Sequence, residues 1–182
     1  MRFVVGNWHT SPYGSFADVF VAHADGRRQL LAPSHEVADF VQQTYTFDEV
    51  TVTDVRVVSG PRSLTVSAGR LRMHVRLGRR RTLGWLLRLV PGPLARTTRF
   101  AEAVDPLARR ILPGVGTYGT AGHGRREWYG ARDLIAVASL TAIWSDADLG
   151  PLSPVVPEPG FGFGSTPQQP SLTILQTTVE RP

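Results

Sequence analysis

The sequence has no lysine and no cysteine; all 20 of its basic residues are arginine. Without lysine, no side chain can form a Schiff base with a carbonyl substrate or with pyridoxal phosphate, and a Walker-type phosphate loop lacks its amine. Without cysteine, thiolate nucleophiles, thiolate zinc sites, iron–sulfur clusters and disulfides are excluded. The five histidines (His9, His23, His35, His74, His123) show neither H-x-H nor H-E-x-x-H spacing. No metal and no cofactor are therefore expected. Long apolar runs are missing as well: none approaches the roughly 18 residues that suggest a membrane span. Met1 to Asn7 carries too short an apolar run for a secretory signal. The default expectation is a soluble, cytoplasmic protein.

What is present is the composition of a folded chain. Of 182 residues, 42% are apolar and 19% charged, which allows a substantial core and argues against disorder. One domain over 1–182 is expected. The 18 glycines and 14 prolines fall mainly after residue 90 and point to turns and loops there. The net charge of +5 raises nucleic acid as a partner. The arginines are scattered among acids, however, and no nucleic-acid motif occurs, so no nucleic-acid partner is expected.

Residues 16–32 read as a hairpin around the Asp25-Gly26 turn signal. Ser34 then caps a helix whose Val37, Phe40, Val41 and Tyr45 share one face. From Glu49 the apolar period becomes two. Its phase slips at Thr53-Asp54, which suggests a β-bulge. Turns at Ser59-Gly60-Pro61 and Ala68-Gly69 divide a three-stranded antiparallel meander. Its clearest strand alternates Leu71, Met73, Val75 and Leu77 with Arg72, His74 and Arg76. Two short helices are expected around the corner Pro91-Gly92-Pro93, the second from Phe100 to Ile111. Residues 127–144 regain strand character with a break near Gly130-Ala131, and Ser171 to Glu180 form a last strand. This order does not alternate βαβα regularly. It predicts an α+β fold: a curved, largely antiparallel sheet or barrel with a few short helices.

Several groups carry candidate chemistry. Gly114-Val115-Gly116-Thr117-Tyr118-Gly119 spells G-x-G-x-x-G but lacks the preceding strand of a dinucleotide fingerprint. It reads better as a surface loop or a lid. His123 to Tyr129 form the densest polar and aromatic cluster. Arg125 with its neighbour Arg126 suits a carboxylate or phosphate, His123 a proton transfer, and Glu127 an orienting or acid–base role. Tyr129 supplies a wall. Arg72, His74 and Arg76 share one strand face, which either lines a cavity or meets solvent. Trp8, beside His9 and Tyr13, is an aromatic suited to a ligand wall or a barrel plug. Gly162-Phe163-Gly164-Ser165-Thr166 is not a nucleophile elbow. The segment 79–99, from Arg79 to Arg99, combines six arginines with Leu and Trp. It could lie on an anionic membrane, but Gly84, Pro91 and Pro93 interrupt any long amphipathic helix, so packing against the sheet is preferred.

The stretch Arg62-Ser63-Leu64-Thr65-Val66-Ser67-Ala68-Gly69-Arg70-Leu71-Arg72-Met73 resembles the paired central strands of the acetoacetate decarboxylase-like superfamily. Asp133 to Leu149, with Ile143-Trp144 and Asp148-Leu149, is similar to a later strand and turn of that family. The resemblance implies a cone-shaped antiparallel barrel around a small pocket, and an arginine that holds substrate carboxylate. The family's catalytic lysine and its neighbouring lysine are both absent here, so lysine-dependent decarboxylation is excluded.

The leading expectation is a small-molecule binder with an arginine-containing pocket for an anionic or aromatic metabolite, using Trp8, Arg72, His74, Arg125 and Tyr129. One alternative is a lyase, isomerase or cyclase with His123 and Glu127 as acid and base. Another is a peripheral membrane or interaction protein acting through residues 79–99, with a membrane surface the less favoured partner. Homo-oligomerisation is left open.

Overall fold

A computed structural model describes residues 1–91, 97, 99, 102, 105, 106, 110, 118–120, 126–162 and 166–179. The chain divides into two compact units, one of Met1–Arg76 with Ser139–Leu152, the other of Leu77–Ala138 with Ser153–Pro182. The fold is α+β and mostly antiparallel. Its sheets are curved, and among the described residues neither closes into a barrel.

In the first unit, β1 (Arg2–Trp8), β2 (Phe16–Ala22), β3 (Arg28–Ala32) and β4 (Glu49–Val52) form a sheet in that order. The expected hairpin joins β2 to β3. Gly26 takes the left-handed conformation at φ +90°, and Asp25 Oδ1 accepts from the Arg27 N–H at 3.1 Å, an Asx turn. Ser34 caps α1 (His35–Gln42) as expected: its hydroxyl accepts from the Val37 N–H at 3.2 Å. The helix buries Val37, Ala38 and Val41 and touches β3 and β4. Tyr45 and Phe47 then pack on Phe20, at ring separations of 5.1 and 4.9 Å.

The helix makes β3 and β4 a parallel pair, Leu30 opposite Val50, because a crossover returns the chain to the same end of the sheet. Arg28 holds the register: it donates to Asp48 through Nε at 3.0 Å, Nη2 at 2.9 Å and its backbone N–H at 2.8 Å. These bonds hold the Asp48 carboxyl down at about 2. The slip at Thr53-Asp54 is not a bulge. There the chain leaves one sheet for the other, since β5 (Val55–Ser59) belongs to the second. A change of phase looks alike in sequence whether a residue is inserted or a strand ends.

The meander β5, β6 (Ser63–Ala68) and β7 (Leu71–Arg80) forms as expected, with Val57 opposite Val66 and Val66 opposite Met73. Leu71, Met73 and Val75 are buried while Arg72, His74 and Arg76 are exposed. Each buried apolar side chain contributes about 1.5–3 kcal/mol. The second sheet continues to β9 (Arg126–Trp144) and β10 (Ala147–Asp148). In the first unit, Trp144 meets Phe3 at 6.3 Å and His23 edge-on at 5.6 Å.

In the second unit, β8 (Tyr118–Thr120) and β11 (Ser171–Val179) both pair with β9. The expected break in β9 is a bulge: Ile174 opposes Asp133 and Leu175 opposes Ala131, so Arg132 is the extra residue. Beside it lies α2 (Thr82–Leu89). Asp133 is buried, and burial pushes its carboxyl up. Arg80 Nε (2.8 and 3.0 Å), the Leu134 N–H (2.8 Å) and Arg88 Nη1 (3.6 Å) outweigh this and hold it below the ordinary value. The Arg80 guanidinium also lies 4.5 Å over the Trp85 ring. Gly84 is the one α2 residue that is fully buried. A Cβ there would strike the Leu134 carbonyl oxygen and come within 2.8 Å of its nitrogen. The expected helix 100–111 lies mostly outside the described residues.

Gly84→Ala should therefore lower stability by about 1–3 kcal/mol through this backbone clash, measured as the shift in urea midpoint. An unchanged midpoint would show that α2 does not rest on β9.

Candidate functional site

Two turns of the first unit frame an open cleft of about 350 Å³ lined by Gly69, Arg70, Arg72, Ile143, Ser145 and Asp146. The β6–β7 turn carries Gly69 at φ +52°, a conformation glycine adopts at little cost. The β9–β10 hairpin turns through Ser145 and Asp146 at φ +47° and +69°. Two successive left-handed residues define the tight turn whose twist matches antiparallel strands, and non-glycine residues adopt it rarely. The Ser145 N–H donates to the Arg70 carbonyl at 3.1 Å, which ties the two turns together.

Arg72 is fixed by Nη1, which donates to the carbonyls of Gly69 (2.7 Å) and Leu71 (2.8 Å). Among the described residues its other nitrogens make no such bond. The cleft thus combines two guanidinium groups, a carboxylate, a serine hydroxyl and the apolar surface of Ile143. That set can grip a carboxylate or phosphate while accepting a hydrogen bond from a neighbouring hydroxyl or amine.

Of the residues singled out in the sequence, Arg72 lines this cleft. Arg72, His74 and Arg76 face solvent rather than an enclosed cavity, because the odd residues of β7 fill the core. His74 Nδ1 lies 3.3 Å from Thr65 Oγ1 across the strand pair and is not among the cleft residues. Trp8 is half-buried, stacks on Phe16 at 5.8 Å, and spends its indole N–H on Asp18 at 3.2 Å; it serves the core, not the cleft. Glu127 is fully buried in β9, and Tyr129 is half-buried opposite Thr177; both belong to the second unit. His123 and Arg125 lie outside the described residues. Gly119, the last glycine of the G-x-G-x-x-G spelling, sits in β8 opposite Glu127, not at the helix start that a dinucleotide site requires. Among the described residues no three His, Asp or Glu cluster as metal ligands.

Arg70, Asp146 and Asp18 are not among the residues singled out in the sequence. Arg70 follows a turn that was legible, but its convergence with Asp146 is long-range. Asp18 had a local signal, an acid within the apolar run Phe16-Ala17-Asp18-Val19-Phe20-Val21. It is fully buried opposite Gly6, and a Cβ on Gly6 would strike Asp18 Oδ1 and approach Trp8 Nε1 to 2.6 Å. Among the described residues Asp18 Oδ1 has no hydrogen-bond partner. Burial pushes the carboxyl up to about 7, against the opposing pull of the Trp8 indole and the Gly6 backbone.

Comparison with protein-family models, with curated proteins and with solved structures finds no match.

The raised Asp18 value means that the folded chain holds a proton that the unfolded chain releases near 3.8. Stability is then greatest below that value and falls as pH rises towards about 7, by up to about 4 kcal/mol. Asp18→Asn should match the native chain at pH 4 and exceed it at pH 8 in denaturant midpoint. Parallel curves for the two chains across that range would refute a protonated Asp18.

Proposed function

We propose that the protein binds a small anionic metabolite in the cleft beside Arg70 and Arg72, without amine-based covalent chemistry. The observation that supports this reading is the pairing of two guanidinium groups with the Ser145–Asp146 turn in one open cleft. Arg72 is held in place before any ligand arrives, so less side-chain freedom is lost on binding. Asp146 disfavours a bare polyanion and favours an anion that carries a hydroxyl or amine. Ile143, 38% exposed, offers apolar surface to an aliphatic or aromatic part. A volume of about 350 Å³ lies at the small end of the range for ligand pockets.

Thermal unfolding with millimolar malate, succinate, benzoate and inorganic phosphate tests the reading. The hydroxy acid malate should raise the Tm by several degrees and more than succinate does, since ligand binding to the folded state stabilises it by mass action. Arg70→Ala and Arg72→Ala, both surface changes, should remove that rise and leave the unliganded Tm within a degree or two. If no anion shifts the native chain, or the variants respond as it does, the proposal fails.

A further inference from the structure

In most surface helices the apolar stripe turns inward; α2 does the reverse. Its fully buried residue is Gly84. The side that faces away from Gly84 carries Trp85, Leu86 and Leu89, which are 58%, 56% and 78% exposed. Leu83 and Leu87 flank the seat and are half-buried. On β11, Ile174, 51% exposed, lies directly opposite Asp133, the residue that Arg88 of α2 reaches. Singly exposed leucines are ordinary, but several large apolar side chains on one short helix form a patch that a soluble surface rarely leaves bare.

The charges within α2 and the residues that flank it are of one sign. Arg79 is exposed at the end of β7, and Arg88 lies in the last turn of the helix, 54% exposed; Arg81, just before the helix, is half-buried with its Nε covered. Residues 79–91 contain no acid. The nearby carboxylate, Asp133, is already bound by Arg80 and reached by Arg88. A second copy of this chain seated face to face would bring the same guanidinium groups together, as two-fold symmetry requires. The chemistry that complements an apolar face with an arginine rim is the anionic lipid surface, where Trp favours the interface and Arg pairs with phosphate.

We infer that α2 is a membrane-surface anchor: it lies flat on an anionic bilayer, inserting Trp85, Leu86 and Leu89 between headgroups that Arg79 and Arg88 contact. Eight residues cannot cross a bilayer, so the association is peripheral. The short apolar face makes it reversible, and the arginine rim makes it dependent on lipid charge and salt. The inference rests on the second unit alone and is independent of the Arg70–Arg72 cleft.

Vesicle flotation tests it with the full chain. Phosphatidylcholine vesicles are compared with vesicles containing about 30% phosphatidylserine, at about 50 and 500 mM NaCl, a range over which screening of surface charge becomes strong. The chain should float with the anionic vesicles at low salt, and bind at least tenfold more weakly to neutral vesicles and at high salt. Leu86→Ser with Leu89→Ser alters side chains already exposed, so the fold should survive with an unchanged Tm while anionic-vesicle binding falls at least tenfold. Arg79→Gln should weaken binding to anionic vesicles several-fold and leave neutral-vesicle binding unchanged. The inference is overturned if the native chain does not float, if the double variant floats as the native chain does, or if sedimentation shows a dimer that the double variant abolishes.

Discussion

The alternation along β7 is the constraint on which the site depends. A strand sends successive side chains to opposite faces, so burying Leu71, Met73 and Val75 obliges Arg72, His74 and Arg76 to face outward. A shift of one residue would force three cationic or titratable groups into the core, at a cost far above the net stability of a domain. The hydrophobic effect thus fixes the position of Arg72 without any reference to a ligand. Only the final orientation is set by polar contacts, through the carbonyls of Gly69 and Leu71.

Two buried carboxylates show how environment divides one chemical group into two kinds of behaviour. Asp133 sits beside the Arg80 guanidinium and a backbone N–H, and stays charged despite burial. Asp18 has an indole N–H and backbone for company but, among the described residues, no cation, and burial prevails. The first fastens a helix to a bulged strand. The second is a polar group held between β1 and β2 that the glycine opposite makes room for.

Much of the fold was legible because its signals are local. Asp25-Gly26 names a turn, Ser34 names a helix start, and the period of two from Leu71 to Leu77 names a strand; all three stand in the structure. β1 was not read as a strand, since Arg2–Trp8 has no cross-strand pattern until paired with β2. The Thr53-Asp54 slip was misread because the end of one sheet and a bulge within another leave the same local trace. The site was legible by half. Arg72 stood out by its alternation, whereas Arg70 and Asp146 belong together only through the contact of two turns more than seventy residues apart. α2 was expected to pack on the sheet and does so through Gly84, but its outward apolar side depends on which residue takes the seat.

The way β9 is shared has a consequence for biosynthesis. From Glu127 to Ala136 this strand pairs with β11, which the chain reaches only at Ser171. Until β11 has been synthesised, that side of β9 is an open edge, the kind of template on which nascent chains join one another. Arg132, the extra residue at the bulge, lies within this stretch and is exposed. Its charge discourages mispairing until β11 closes the edge.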